Sequence, residues 1–100
     1  MSAATLARPT RLPHGVAPYR KIGPFDAFSL PAGLLQTHHL KDGVWGVLRL
    51  EAGEVAFVWE DGSHERIALA APGEIVVPPK IPHHLEPQGE FLLTIEFHRA

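Results

Sequence analysis

Seven histidines stand among the one hundred residues, and four of them form two adjacent pairs, His38-His39 and His83-His84. Imidazole is the commonest metal ligand and changes charge closest to neutral pH, so formal charge runs from −2 with all seven neutral to +5 with all protonated. The absence of cysteine excludes disulfide frameworks, thiolate nucleophiles, Cys-based zinc sites and iron–sulfur clusters. Two neutral imidazoles and a carboxylate remain a common set for Fe(II), Zn, Ni or Mn, leaving positions open for water or substrate. In an extended chain neighbouring side chains point to opposite faces, so each pair sends one ring inward. His38 shares a face with Leu34 and Leu40, and His83 with Ile81 and Leu85, so parity selects these two. The opposite register would select His39, which accompanies Thr37 and Lys41, and His84, which accompanies Glu86. The carboxylate candidate is Glu96, between Ile95 and Phe97. The face of Phe91, Leu93, Ile95 and Phe97 is the more apolar, which turns Glu96 to solvent; yet Leu92 shares the face of Glu96, and a two-layer fold covers both faces. Its direction stays open at this level. The competing expectation is that both pairs are turn or edge histidines satisfied by backbone groups. His14, His64 and His98 have no partner in view and are expected at the surface. Ser29 and Ser63 lie in no nucleophile elbow, so metal-free hydrolase chemistry is not expected.

Strands are needed to aim such side chains, and nine glycines with ten prolines favour short strands over long helices. Residues 32–71 hold no proline, and there Val44, Gly46, Leu48 and Leu50 alternate with Trp45, Val47 and Arg49, the period of a strand. Glu51–Glu54 reads as a turn. Val55, Phe57 and Trp59 then alternate with Ala56, Val58 and Glu60 in a second strand, expected to pair with the first as a hairpin. Asp61-Gly62 carries a turn signal before a third strand, His64–Leu69. Short strands are expected over Glu74–Val77, stopped by Pro78-Pro79, and over His83–Glu86. Gly89 opens a last one, Phe91–His98, and earlier strands are expected near Phe25–Leu30 and Leu34–Leu40. Roughly seven or eight short strands in about 75 residues predict an all-β fold, a small jelly roll or β-barrel.

One hundred residues allow one domain. Residues 1–24, with Pro9, Pro13, Pro18 and Pro24, read as an extended Pro-rich basic arm wrapping the body, and residues 25–100 as the β domain. Residues 1–25 hold four basic side chains and no acid, +4; the other five basic and eleven acidic side chains give the remainder −6. Dispersed basic charges without interleaved aromatics, on an acidic body, predict no nucleic-acid partner. No run approaches the roughly 18 apolar residues of a membrane span, and residues 1–13 lack the apolar core of an export signal, so a cytoplasmic protein without membrane contact is expected. An apolar outer face drawn from Val55, Phe57 and Trp59 would suit a homodimer.

Gly73, five residues, Pro79 and then His84 resemble the second cupin motif, with Ile81 where that motif has glycine. Lys41 stands at the second-histidine position of the first motif and Trp45 or Gly46 at its glutamate, so the four-ligand cupin set is absent. Leu30–Gly33, His38–Gly46, Pro78–Pro87 and Thr94–Phe97 resemble more closely the tellurite-resistance-related, cupin-like domain family of TehB/YeaR type, over most of residues 25–98. Recurrent positions of that family fall on His38, Lys41, Gly43, Gly53, His83 and Glu86, with an acid often at Glu96. The resemblance implies a small cupin-like domain holding a divalent metal ion (Zn, Fe or Ni) at His38, His83 and Glu96. It further implies a small anionic ligand, attracted by Lys41 near the mouth. The alternative is a non-catalytic small-molecule or oxyanion-binding module that acts in a stress response without metal. Some relatives carry a methyltransferase; this chain has no glycine-rich nucleotide fingerprint, so methyl transfer is not expected of it.

Overall fold

In a computed structural model, which describes residues 8–100, the chain is all-β. It forms β1 (Ala17–Phe25), one 3-10 turn (Ala32–Leu35), β2 (Trp45–Trp59), β3 (Arg66–Ala70), β4 (Gly73–Val77) and β5 (His83–Arg99). All pairings are antiparallel, in the order β1-β5-β2-β3, with β4 on the first half of β2. No helix of the described residues is long and apolar enough to cross a membrane.

β2 and β5 organise everything else. The expected hairpin at Glu51–Glu54 does not form: the two predicted strands are halves of one 15-residue strand, and both halves pair with β5. The predicted His83–Glu86 and Phe91–His98 strands likewise fuse into the 17-residue β5. Register shifts at Leu50/Ala52 and Gly53/Val55 mark a bulge, with Gly53 at a φ of +77°, the conformation that a glycine supplies in bulges and turns alike. An irregularity of this kind reverses which parity faces inward. Leu48 and Leu50 point to the core before it, Val55, Phe57 and Trp59 after it, and all five join one cluster with Val77, Leu85, Leu93 and Ile95. The sheet therefore curls upon itself around this cluster. Val55, Phe57 and Trp59, the expected dimer face, are 0, 1 and 2% exposed; that surface is interior.

The expected β2–β3 hairpin across Asp61-Gly62 forms, with Val58 opposite Arg66. The proline-rich arm is different from its expectation, because Ala17–Phe25 adds an edge strand to β5. Pro18 and Pro24 sit at its register shifts, as residues without an N–H must in an edge strand. Residues 8–16 belong to no strand or helix, and residues 1–7 of the predicted arm lie outside the described residues. The strands expected near Phe25–Leu30 and Leu34–Leu40 are absent. Asp26 Oδ1 accepts the Phe28 and Ser29 N–H groups at 2.9 Å each, turning the chain locally, and the 3-10 turn follows.

Candidate functional site

β5 places His83 opposite Trp59 of β2, and the loop after the 3-10 turn lays His38 against its other side. His38 and His83 form an isolated antiparallel bridge, each N–H donating to the other's carbonyl at 2.9 Å. Side chains of such a pair project to one side, and the two rings meet edge-on, 4.3 Å between centroids. His83 is buried, 4% exposed, with its ring stacked 5.0 Å from Phe57 and edge-on to Trp59 at 5.9 Å. Both rings make the same local bond. Nδ1 of His38 is 2.8 Å from the carbonyl of Gln36, and Nδ1 of His83 is 2.8 Å from that of Ile81. A carbonyl only accepts, so each Nδ1 carries the proton and donates it. Each Nε2 keeps a lone pair with no hydrogen-bond partner among the described residues. Burial pushes the His83 pKa down from 6.5 to about 4, outweighing the bond to Ile81 and helped by the neighbouring His38; the ring is neutral at neutral pH.

The two rings open on a cavity of about 60 Å³ that Leu40, Phe57, Val77 and Ile95 also line. That is room for a few waters or an ion with its water. The two histidines that parity selects in the sequence lie side by side in the fold. Glu96 does not join them. Ile95 and Phe97 line the cavity, so Glu96, between them, lies on the opposite face, where it accepts from His98 Nε2 at 2.8 Å and faces Arg49 Nη1 at 3.6 Å. Partial burial opposes its ionisation, but His98 and Arg49 prevail and hold the carboxyl below its usual range. Lys41 is exposed in a turn where its carbonyl accepts the Val44 N–H at 3.1 Å; its neighbour Leu40, not Lys41, lines the cavity. Among the described residues, no three His, Asp or Glu side chains converge as a metal site.

The alternative register forms a separate cluster on the outer face. His84 is held between carboxylates, Nδ1 2.6 Å from Glu60 and Nε2 2.7 Å from Glu86. Glu60 also accepts from the Thr37 hydroxyl at 3.0 Å, and Arg66 pairs with Glu86. Glu60 was not visible as a participant from sequence, because it ends the second alternating stretch and joins His84 only through the β2–β5 register. His39 is exposed, and His14 and His64 lie at the surface as expected. His98 does not: it is 6% exposed, with Nδ1 unpartnered among the described residues. The bond to Glu86, against some desolvation and together with Glu60, raises the His84 pKa above 6.5. Its stabilisation is therefore complete below pH 6.5 and lost as pH rises through the raised value. His84→Gln should flatten the stability profile on that alkaline side, by less than about 1 kcal/mol because its carboxylate partners are partly open to solvent. Urea unfolding from pH 6 to 9 reads it, and unchanged curvature would refute the assignment.

A family model described as the TehB-like domain matches residues 20–94. Among solved structures, a protein from Escherichia coli strain K12, a structural-genomics target, superposes with a TM-score of 0.79 at 23% identity, covering 90% of this chain and 96% of that one. TehB from Haemophilus influenzae superposes with a TM-score of 0.78 at 22% identity, covering 87% of this chain and 32% of that one. The chain thus spans about a third of the length of that TehB. At such identities the likeness is one of fold. No curated protein matches the chain. The family match runs from within β1 to within the last half of β5, taking in both histidine pairs, and the chain belongs to the TehB-like domain family.

Proposed function

We propose that this TehB-like domain is a small cupin-like binding module, related to tellurite-resistance proteins, that holds a divalent metal ion (Zn, Fe or Ni) on His38 and His83. The observation that carries the reading is the matched pair of Nδ1–H···O=C bonds, which fixes both tautomers and aims two lone pairs at one small cavity. Such a bond on the far nitrogen is the usual support of a ligating histidine. Glu96 does not fit the set, since it faces the other way. Two imidazoles leave the remaining positions to water or to oxygens of a small ligand, and a bound cation would attract an anion there. The residues of the site fix ring orientation and exclude bulk water; the ion would supply Lewis acidity.

The metal-free alternative, in which the same pair receives an oxyanion directly, meets an electrostatic obstacle. Two lone pairs face the cavity, and His83 stays neutral down to about pH 4, so an anion finds a donor only after protonation. Elemental analysis of protein purified without chelator should give about one metal per chain, lost in His38→Ala/His83→Ala and retained in Glu96→Gln. Less than about 0.2 metal per chain, unchanged in the double variant, would overturn the proposal. Calorimetry with tellurite then separates the alternatives: the metal reading expects oxyanion binding only in the loaded protein.

A further inference from the structure

A second cavity, about 670 Å³, opens between β3 and β4 on the far side of Trp59. Its floor is apolar, from Trp59, Ile67, Leu69 and Ile75, and Glu65 and Glu74 stand at its rim. Arg8 is the one cation among the described residues that line it. The Arg8 guanidinium lies over the Trp59 ring, 4.2 Å from its centroid. It is paired with Asp61 and Glu65 and lies 3.5 Å from the Ser63 hydroxyl. An indole face with carboxylates at its edge is the arrangement that recognises organic cations.

Two observations set this apart from an ordinary surface ion pair. Arg8 is held by its side chain, for residues 8–16 belong to no strand or helix, so little else is disturbed if it leaves. With Arg8 in place the cavity still extends well beyond the guanidinium, over apolar floor that nothing in the described chain fills. Without Arg8, the charges left beside the Trp59 ring are those of Asp61 and Glu65, for Glu74 is paired with Arg49 at 3.0 Å, and they disfavour an anionic ligand.

We propose that Trp59, Asp61, Ser63 and Glu65 form a binding site for a small guanidinium or alkylammonium compound, its apolar chain lying along Ile67, Leu69 and Ile75, and that Arg8 occupies this site as an internal competitor. The site is separate from the His38–His83 pair. A tethered side chain competes at an effective concentration in the millimolar range, so removing it strengthens binding of a free cation.

The test follows the Trp59 indole N–H resonance, assigned with Trp45→Phe, while agmatine is added to the full chain. A saturable shift is expected in the wild-type protein, with affinity at least tenfold tighter in Arg8→Ala. Glu65→Gln in the Arg8→Ala background should weaken binding at least tenfold, and hexanoate should leave the resonance unmoved. Should Arg8→Ala not fold, Arg8→Gln carries the same comparison. No saturable shift in the wild-type protein up to about 10 mM agmatine, or no tightening when Arg8 is removed, would overturn the proposal and leave Arg8 as a structural ion pair.

Discussion

Gly53→Ala should cost about 2–5 kcal/mol of stability, a large share of the roughly 5–15 kcal/mol that holds a domain of this size. Gly53 sits at a φ of +77°, where a Cβ costs about 1–2 kcal/mol by itself. Here the Cβ also has no space: it would run into the Glu90 carbonyl oxygen and stand 2.8 Å from Phe91 Cα, both backbone atoms that no rotamer change can move. Relieving the overlap means separating β2 from β5 at the point where both halves of the sheet are joined, a strain worth another 1–3 kcal/mol or so by analogy with overpacked cores. Gly62 is the control. It has a similar φ of +94° and nothing within 4 Å of a Cβ, so Gly62→Ala should cost only about 1–2 kcal/mol. Urea midpoints at unchanged slope measure both. Equal losses would show that close approach at Gly53 is not what limits it.

The same glycine explains what was legible in the sequence and what was not. Alternation found the β2 and β5 stretches because period two depends only on which side chains face the core. It could not say that Leu50 and Val55 belong to one strand. A bulge and a hairpin turn ask for the same residues, glycine with φ above zero among polar neighbours, and only pairing across the chain, Gly53 opposite Phe91, decides between them. Asp61-Gly62 carried the same signal and did turn the chain, because Val58 and Arg66 beyond it could pair with each other. The expected strand at Phe25–Leu30 failed for a local reason: Asp26 Oδ1 accepts the Phe28 N–H and Ser29 Oγ the Asp26 N–H, each at 2.9 Å, which offers the backbone an alternative to a ladder, and the 3-10 turn at Ala32–Leu35 takes up the start of the other.

At the site the rings of His38 and His83 meet through an isolated bridge, for His38 lies outside any strand, and only for His83, within β5, does the result follow from strand parity. Glu96 shows its limit. Within β5 the odd positions Phe91, Leu93 and Ile95 face the core, yet Thr94 and His98 on the face of Glu96 are buried too, so both faces are covered and apolarity alone did not say which one meets the cavity. The Arg8–Trp59 contact joins residues 51 positions apart through a segment without secondary structure, and no periodicity carries that kind of information. His98 misled for a related reason. Cross-strand neighbours Trp45 and Pro18 cover it, and neither is close in sequence.

In chelator-treated protein, stability should fall by about 3 kcal/mol between about pH 7 and pH 4 on account of His83 alone. The unfolded chain takes up this proton near pH 6.5, whereas the buried ring resists until about pH 4. Between those values the unfolded state binds more protons, so each unit of acidification removes about 1.4 kcal/mol from folding. The contribution is whole above pH 6.5, declines through the interval and is flat below it. His84 acts in the opposite sense, its raised pKa favouring the folded state in acid, and because its carboxylate partners are partly open to solvent it offsets only a fraction. His83→Gln cannot be protonated and retains an amide donor for the Ile81 carbonyl, so its stability should lose most of the acid slope whatever its value at neutrality. Parallel profiles for the wild-type and His83→Gln proteins would remove His83 as the cause. Repeating the series with one equivalent of zinc connects stability to the proposed site. A metal on Nε2 competes with the proton for the same lone pair, so the loaded protein must lose its binding energy as well as the His83 term and show the steeper fall. If zinc leaves the profile unchanged, the two imidazoles hold no metal, and His83 has to be understood as a buried, neutral hydrogen-bond acceptor in the wall of a small cavity.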